Sequence, residues 1–229
     1  MSLRFPQPLM GTALWRYIMH FEAAMEDAVH GFARSLTDDS RVLDAGAGEG
    51  QYAHYFDRQR YVGVDLGVGD AAWDYGGLQA LADLTALPFQ DESFDACISI
   101  VTLEHVKAPA RALREIARSL KPGARVLLVV PHEWEVHQSP HDYWRFTRHG
   151  IRYLLEEAGL QQIRIKPVGG FFRLLARRLA NGMQVVPLPL LPVAALLLAP
   201  PALILPAFDF LDRQRDFTLG YICTARKSS

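Results

Sequence analysis

The chain has few cysteines, almost no net charge and no composition typical of disorder. Only Cys97 and Cys223 occur among 229 residues, both inside apolar runs. Two thiols cannot complete a zinc site built on four cysteines, and they point to a reducing, cytoplasmic setting rather than a disulfide framework. Charge of one sign is missing too: 24 basic against 25 acidic side chains leave a formal net charge of −1. With no basic excess to hold phosphate backbones irrespective of sequence, nucleic acid is not an expected partner. The first ten residues hold one arginine and two prolines but no uninterrupted apolar stretch leading to a small-residue cleavage site, so no secretory leader is expected. No internal repeat or low-complexity tract is evident. What is abundant is apolar surface: half the residues are hydrophobic and 10% aromatic. That suits one domain with a full core, and it excludes disorder as the main state.

Leu14, Tyr17, Ile18, Phe21, Met25, Ala28, Val29 and Phe32 recur at helical spacing. They predict one amphipathic helix ending near Ser35, a lid or packing helix within an N-terminal segment 1–38. Arg41 to Asp44 reads as a strand that stops in Ala45-Gly46-Ala47-Gly48-Glu49-Gly50; a helix-like Gln51 to Phe56 and a strand Tyr61 to Asp65 follow. Further strands are expected near 78–82, 94–101, 125–130, 161–168 and 217–226. A helix over 109–120 stops at Lys121-Pro122-Gly123, and another runs from a Thr147 cap to Ala158 with Gly159 closing it. Strands alternating with helices predict an α/β fold: a mostly parallel sheet covered on both faces, with ligands at the carboxyl ends of its strands.

From Leu179 to Phe208 thirty residues pass without a charge, yet six of them are prolines. The length would span a bilayer, but prolines at that density break helices, so a broken helical hairpin is expected rather than one straight membrane helix. Arg173, Arg177 and Arg178 precede it and would face anionic head groups. The competing reading is a proline-rich insertion, 170–212, folded onto its own domain or forming a homodimer contact; exposed apolar patches mark either kind of site.

A strand that ends in Asp44 and turns through Gly46, Gly48 and Gly50 lets backbone amides approach a ligand, since those positions carry no Cβ. A dinucleotide loop would want G-x-G-x-x-G, but the third glycine comes one residue early, which disfavours a nicotinamide-dependent oxidoreductase. A carboxylate at the loop entrance also sits badly beside two phosphates and suits a cationic ligand.

With Val42-Leu-Asp-Ala-Gly-Ala-Gly-Glu-Gly50 the chain resembles the class I S-adenosylmethionine-dependent methyltransferases. The resemblance continues through Gly63-Val-Asp65, Ala82-Asp-Leu-Thr-Ala-Leu-Pro-Phe89, Ser93-Phe-Asp95, Leu103-Glu-His-Val106 and Leu120-Lys-Pro-Gly123, in the order of the type 11 branch, over about residues 40 to 168. It implies a single Rossmann-like domain over 1–229 with a seven-stranded sheet whose last strand is antiparallel, and S-adenosylmethionine as cofactor. Asp44, Ala45, Gly46 and Gly48 would meet the methionine part of the cofactor. Asp65, with Leu66 beside it, would accept the ribose hydroxyls. Asp83 and the Leu84 amide would take the adenine. Glu104 and His105 would face the reactive side. Each acid has a plainer role open to it, since Asp after a strand also caps helices and forms turns. His105 would either take a proton from the acceptor or only hydrogen-bond cofactor or backbone.

After the fifth strand, Pro131 to Thr147 holds three histidines and four aromatics. His132 and His137 are the expected pocket residues, ahead of His141. No metal is expected, because His132-Glu133 is followed by a histidine at 137 rather than 136, so the H-E-x-x-H spacing fails. Asp142 and Arg145 would pair to fix the loop, while Tyr143 and Trp144 either line an acceptor pocket or anchor the loop. The expected reaction is methyl transfer to a small-molecule or a lipid- or glycan-linked acceptor, in the cytoplasm or on the inner face of the membrane. The alternative is a non-catalytic module that binds S-adenosylmethionine or S-adenosylhomocysteine and recruits a partner through its apolar segment.

Overall fold

A computed structural model describes residues 12–69 and 72–228. The chain divides into two compact units, one within Met1–Ala24 and Pro167–Gly220, the other comprising Met25–Lys166 and Tyr221–Ser229. Where the sequence suggests one domain, the part of the N-terminal segment 1–38 up to Ala24 groups with the apolar insertion, and the rest of it belongs to the other unit.

The larger unit is built on the sheet. Its strands are β1 (Arg41–Ala45), β2 (Arg60–Asp65), β3 (Ala80–Leu81), β4 (Phe94–Ile100), β5 (Leu120–Pro131), β6 (Leu160–Val168) and β7 (Gly220–Lys227), in the order β3-β2-β1-β4-β5-β7-β6. The first five pair in parallel, with Asp44 beside Gly63 on one side and Ile98 on the other. The Ser228 amide donates to the Gly159 carbonyl and the Leu219 amide to that of Val168, so β7 runs against β6 as expected. The order reverses between β1 and β4, and that is where a parallel sheet opens a crevice at its carboxyl edge. α3 (Pro109–Ser119) starts with proline at its first turn, and α4 (Arg148–Glu157) is capped by the Thr147 hydroxyl, which accepts from the Gly150 amide at 3.0 Å. Leu43, Phe94, Cys97, Leu113, Ile116, Leu128, Ile151 and Leu155 form the core between sheet and helices. Both cysteines are free and buried there, and burial pushes the Cys223 thiol up to about 12.

Two expectations in this unit are corrected. The helix-like 51–56 shrinks to a single 3-10 turn, Ala53–Tyr55, since a glycine-rich start leaves too few residues to nucleate an α-helix. The strand near 78–82 is only two residues long, at the sheet edge.

In the smaller unit the expected single N-terminal helix is broken at Met19 into α1 (Ala13–Ile18) and α2 (His20–Arg34), the latter running on into the larger unit. Met19 is buried, and its sulfur takes an N–H of Arg177 at 3.2 Å. α5 (Phe171–Gly182) has no side-chain cap of its own. The Phe171 and Arg173 amides are instead taken by the carboxylates of Asp212 and Asp209, 2.8 and 3.1 Å away. α6 (Leu191–Ile204) corrects a second expectation: Pro200 and Pro201 lie inside it without ending it. Tyr17 donates to the Leu203 carbonyl at 2.8 Å near its end. With the 3-10 turns flanking it, α6 forms a stretch, Leu188–Leu211, long and apolar enough to cross a membrane, and none of its most apolar window is buried. Two of the three arginines expected at a lipid surface are engaged within the unit: Arg177 is buried against Glu22 at 2.7 Å, and Arg173 lies 3.6 Å from Asp209 and over the Tyr17 ring.

Candidate active site

The turn after β1 is held by its neighbours on both sides. The Gly46 and Ala47 amides donate to the Val64 carbonyl of β2 at 2.8 and 3.0 Å, and Ser99 on β4 donates to the Ala45 carbonyl at 2.7 Å. Gly46 and Gly48 have φ of +89° and +55°. A Cβ on Gly46 would stand 2.0 Å from the Thr102 methyl, whose hydroxyl donates to the Gly46 carbonyl at 3.1 Å, so both the backbone angle and the packing demand glycine.

Asp44 is fully buried at the end of β1 and accepts a hydrogen bond from the Tyr61 hydroxyl at 2.6 Å. Burial pushes its carboxyl up to about 7; the Tyr61 bond pulls the other way, and the nearby Asp65 adds to the rise. Asp65, half-buried at the end of β2, accepts from the Gly48 amide at 3.0 Å through one oxygen and from the Gly67 amide at 2.9 Å through the other. The carboxylate expected to meet a sugar also ties the glycine turn to the loop beyond β2. Two acids side by side at a glycine turn fit a ligand with a cationic group, as a sulfonium amino acid has.

The plainer role of Asp83 is the visible one: it is exposed and its carboxylate accepts from the Thr85 amide at 2.8 Å in an Asx turn. Leu84 is buried, Leu66 exposed, Ala45 buried. Sequence reasoning passed over Trp73, whose ring comes within 3.4 Å of where a Gly48 Cβ would stand, on a segment joined to the turn by the Asp74 amide donating to Glu49 at 2.9 Å. The signal available was a lone tryptophan in the glycine-rich loop between β2 and β3. Thr102 and Tyr61 were missed as well.

Beyond β4 the chain turns sharply. Val101 has φ of +47°, a left-handed angle that a β-branched residue adopts only under constraint, and it leads into the 3-10 turn Leu103–His105. Glu104, expected to face the cofactor, is instead sealed with no exposed surface; burial pushes its carboxyl up to about 8. Its backbone carbonyl receives the Tyr143 amide at 2.8 Å, while neither carboxyl oxygen has a hydrogen-bond partner among the described residues. His105 Nδ1 lies 2.6 Å from the His141 carbonyl, which can only accept, so Nδ1 carries the proton and Nε2 is left a bare lone pair. Burial lowers the His105 pKa and keeps the ring neutral.

The loop 131–147 brings His137 edge-on to His105, ring centroids 4.8 Å apart. Its expected clamp is present. Arg145 grips Asp142 through both guanidinium nitrogens at 2.6 and 2.8 Å, which holds that carboxyl at about 2, and donates on to the Trp134 and Glu135 carbonyls. Asp142 in turn accepts the His137 amide at 2.8 Å. His132, expected in the same pocket, hydrogen-bonds the Phe146 carbonyl at 2.8 Å and packs 5.5 Å from the Tyr221 ring, outside the Glu104-His105-His137 group. Trp144 anchors the loop by donating to the Val106 carbonyl at 2.9 Å. A surface groove of about 440 Å³ between α2 and strands β5 to β7 is lined by none of these residues.

The family model described as "Methyltransferase domain" matches residues 43–128. A tRNA (carboxymethyluridine(34)-5-O)-methyltransferase of Arabidopsis thaliana is 36% identical over 107 residues, 44% of this chain and 26% of that protein. An uncharacterized methyltransferase of Mycobacterium sp. strain KMS is 40% identical over 94 residues, 38% of this chain and 37% of its own. Each match thus spans well under half of the relative. Among solved structures, the Burkholderia thailandensis 1,6-didemethyltoxoflavin-N1-methyltransferase, crystallised with its substrate and S-adenosylhomocysteine, superposes with a TM-score of 0.57 at 19% identity, covering all of this chain and 94% of that one. The acid-glycine turn and the neighbouring acid on β2 both lie in or beside the matched segment, so residues 43–128, a little over a third of the chain, match a methyltransferase domain, and the sheet around them has the fold of the solved methyltransferase.

Proposed function

We propose that this protein is an enzyme that moves a methyl group from S-adenosylmethionine to a small-molecule or a lipid- or glycan-linked acceptor. The observation that carries the reading is the buried Asp44 at the mouth of a left-handed glycine turn, with Asp65 of the next strand hydrogen-bonded into that turn. When bound, the cofactor supplies a methyl group already activated by its positive sulfur; the protein's part is alignment and exclusion of water. Asp44 holds the ammonium group, and the Ala45, Gly46 and Gly48 main chain lies along the methionine part. Asp65, with Leu66 beside it, takes the ribose hydroxyls, since each carboxylate oxygen has a lone pair beyond the one given to a loop amide. Asp83 and the Leu84 amide take the adenine. His105, neutral and with Nε2 bare, receives the acceptor's proton where there is one to lose; His137 stands at its edge and His132 supports the wall behind them.

The acceptor class follows from the exposed apolar stretch Leu188–Leu211, which suits a protein working at the inner surface of a membrane. The test is calorimetry with S-adenosylhomocysteine, followed by labelled-methyl transfer in three arms: membrane extract, soluble extract and total tRNA. Binding of the spent cofactor and label in the membrane arm are expected. Absence of binding by well-folded protein overturns the reading. Label in tRNA alone transfers the acceptor assignment to nucleic acid, as the name of the Arabidopsis relative would have it. Binding without transfer in any arm would leave a module that recruits a partner.

A further inference from the structure

We propose that Glu104, His105 and His137 form a binding site for a divalent transition-metal ion of the zinc type. One donor atom from each of the three lies within 4.8 Å of the others. Both Glu104 oxygens and His105 Nε2 are buried without a hydrogen-bond partner among the described residues. Buried polar atoms are nearly always satisfied, so three orphans on two adjacent residues call for something that accepts lone pairs. A proton alone does not meet the need: His105 Nε2 and Glu104 Oε1 are 3.9 Å apart, beyond hydrogen-bond reach, while a cation between them would contact both.

The surroundings are those of a ligand set held in place. The Nδ1 of His105 is tied to the His141 carbonyl and that of His137 to the Glu135 carbonyl at 3.1 Å, which fixes both tautomers and turns the lone pair onto Nε2. The Asp142-Arg145 fork holds the His137 backbone. Two imidazoles and one carboxylate favour ions of the zinc, iron or manganese kind over calcium or magnesium. Three protein donors leave one or more positions open, the pattern of a catalytic rather than a structural site. Donors around a tetrahedral ion stand roughly 3.4 Å apart, so the three close by about 1 Å when it arrives. The failed spacing of His132 and His137 stands, since His132 is not a member and neither is His141; Glu104 and His105 join His137 only through the fold.

With the ion bound, the His105 Nε2 lone pair is committed to it, so proton acceptance by His105 belongs to the metal-free enzyme, and the open positions would accept water or an oxygen of the methyl acceptor. That last assignment rests on the methyltransferase reading, whereas metal retention does not. The test uses the full chain, stripped with a chelator, incubated with Zn²⁺ alone, desalted and assayed for zinc by mass spectrometry, with Co²⁺ loading read by visible absorption. About one ion per chain is expected in the wild type. Glu104→Gln and His137→Ala should fall to background and lose the cobalt band, while His132→Ala keeps both. Circular dichroism checks the fold of each variant. His137 is partly exposed, so His137→Ala alone carries the test if Glu104→Gln does not fold. No retained zinc in the wild type, or equal zinc in wild type and His137→Ala, overturns the proposal. Calorimetry with S-adenosylhomocysteine on the metal-free chain reads the methyltransferase proposal separately.

Discussion

Asp44 ties the chemistry of the site to the stability of the chain. Its carboxyl rises from 3.8 to about 7 on folding, so the folded state binds this proton more tightly than the unfolded one. The resulting stabilisation is full below 3.8 and disappears as pH rises through 7. Without ligand, roughly 3 kcal/mol of it is lost between pH 5 and 8, read as a falling Tm, and Asp44→Asn should remove this part of the slope. A cation binds the ionised form, so affinity for S-adenosylhomocysteine, which keeps the ammonium group, should weaken below pH 7 as binding displaces the proton. An affinity that strengthens toward pH 6 would contradict the assigned role. Glycines give a second pair of residue-scale outcomes. Gly46→Ala drives a Cβ into Thr102 at a left-handed angle and should cost 2 kcal/mol or more, about, in thermal or urea unfolding, together with cofactor binding. Gly31→Ala, within α2 and with no atom inside 4 Å of the new Cβ, should instead stabilise by about 0.5–1 kcal/mol.

Among elements, the loop between β5 and α4 depends most on one side chain. Arg145 binds Asp142 in a two-pronged fork and also takes two carbonyls on the opposite arm. Arg145→Lys keeps the charge but cannot reproduce that planar geometry, so it should lower the unfolding midpoint nearly as much as Arg145→Ala, by about 2 kcal/mol, with a raised KM for the acceptor. Full recovery by lysine would show that charge alone matters. This pair was legible in the sequence because Asp and Arg three residues apart can meet within a short loop. Strands β1, β2, β4 and β5 were legible from their apolar runs, as were the caps at Thr147 and Gly159. The break at Met19 was not: the helical period continues through it, and the buried partner that Met19 meets there is Arg177, 158 residues away. For the same reason Arg173 and Arg177 read as surface charges, because Glu22 and Asp209 are remote in the chain. The grouping of His137 with Glu104 and His105 depends on a loop returning to the end of β4, which no local spacing records.

For the molecule as a whole, the exposed uncharged stretch and the inward-turned arginines together specify how a membrane would be held. Attraction by apolar side chains alone is insensitive to salt and to head-group charge, unlike a basic surface. The full chain should therefore float with neutral phosphatidylcholine vesicles at high ionic strength, and the double substitution Leu196→Glu with Leu197→Glu, both exposed on α6, should leave it in the soluble fraction. A wild type that stays monomeric and free of vesicles removes both the lipid and the homodimer assignment.

The position of β7 bears on biosynthesis. Translation delivers this segment after everything else in the sheet, yet its slot lies between β5 and β6 rather than at a margin. Until it arrives, a nascent chain has two open backbone ladders while an oily stretch has already left the ribosome, a combination that invites chaperone capture. Deleting β7, Gly220–Lys227, should consequently leave the protein insoluble, out of proportion to the few side chains removed.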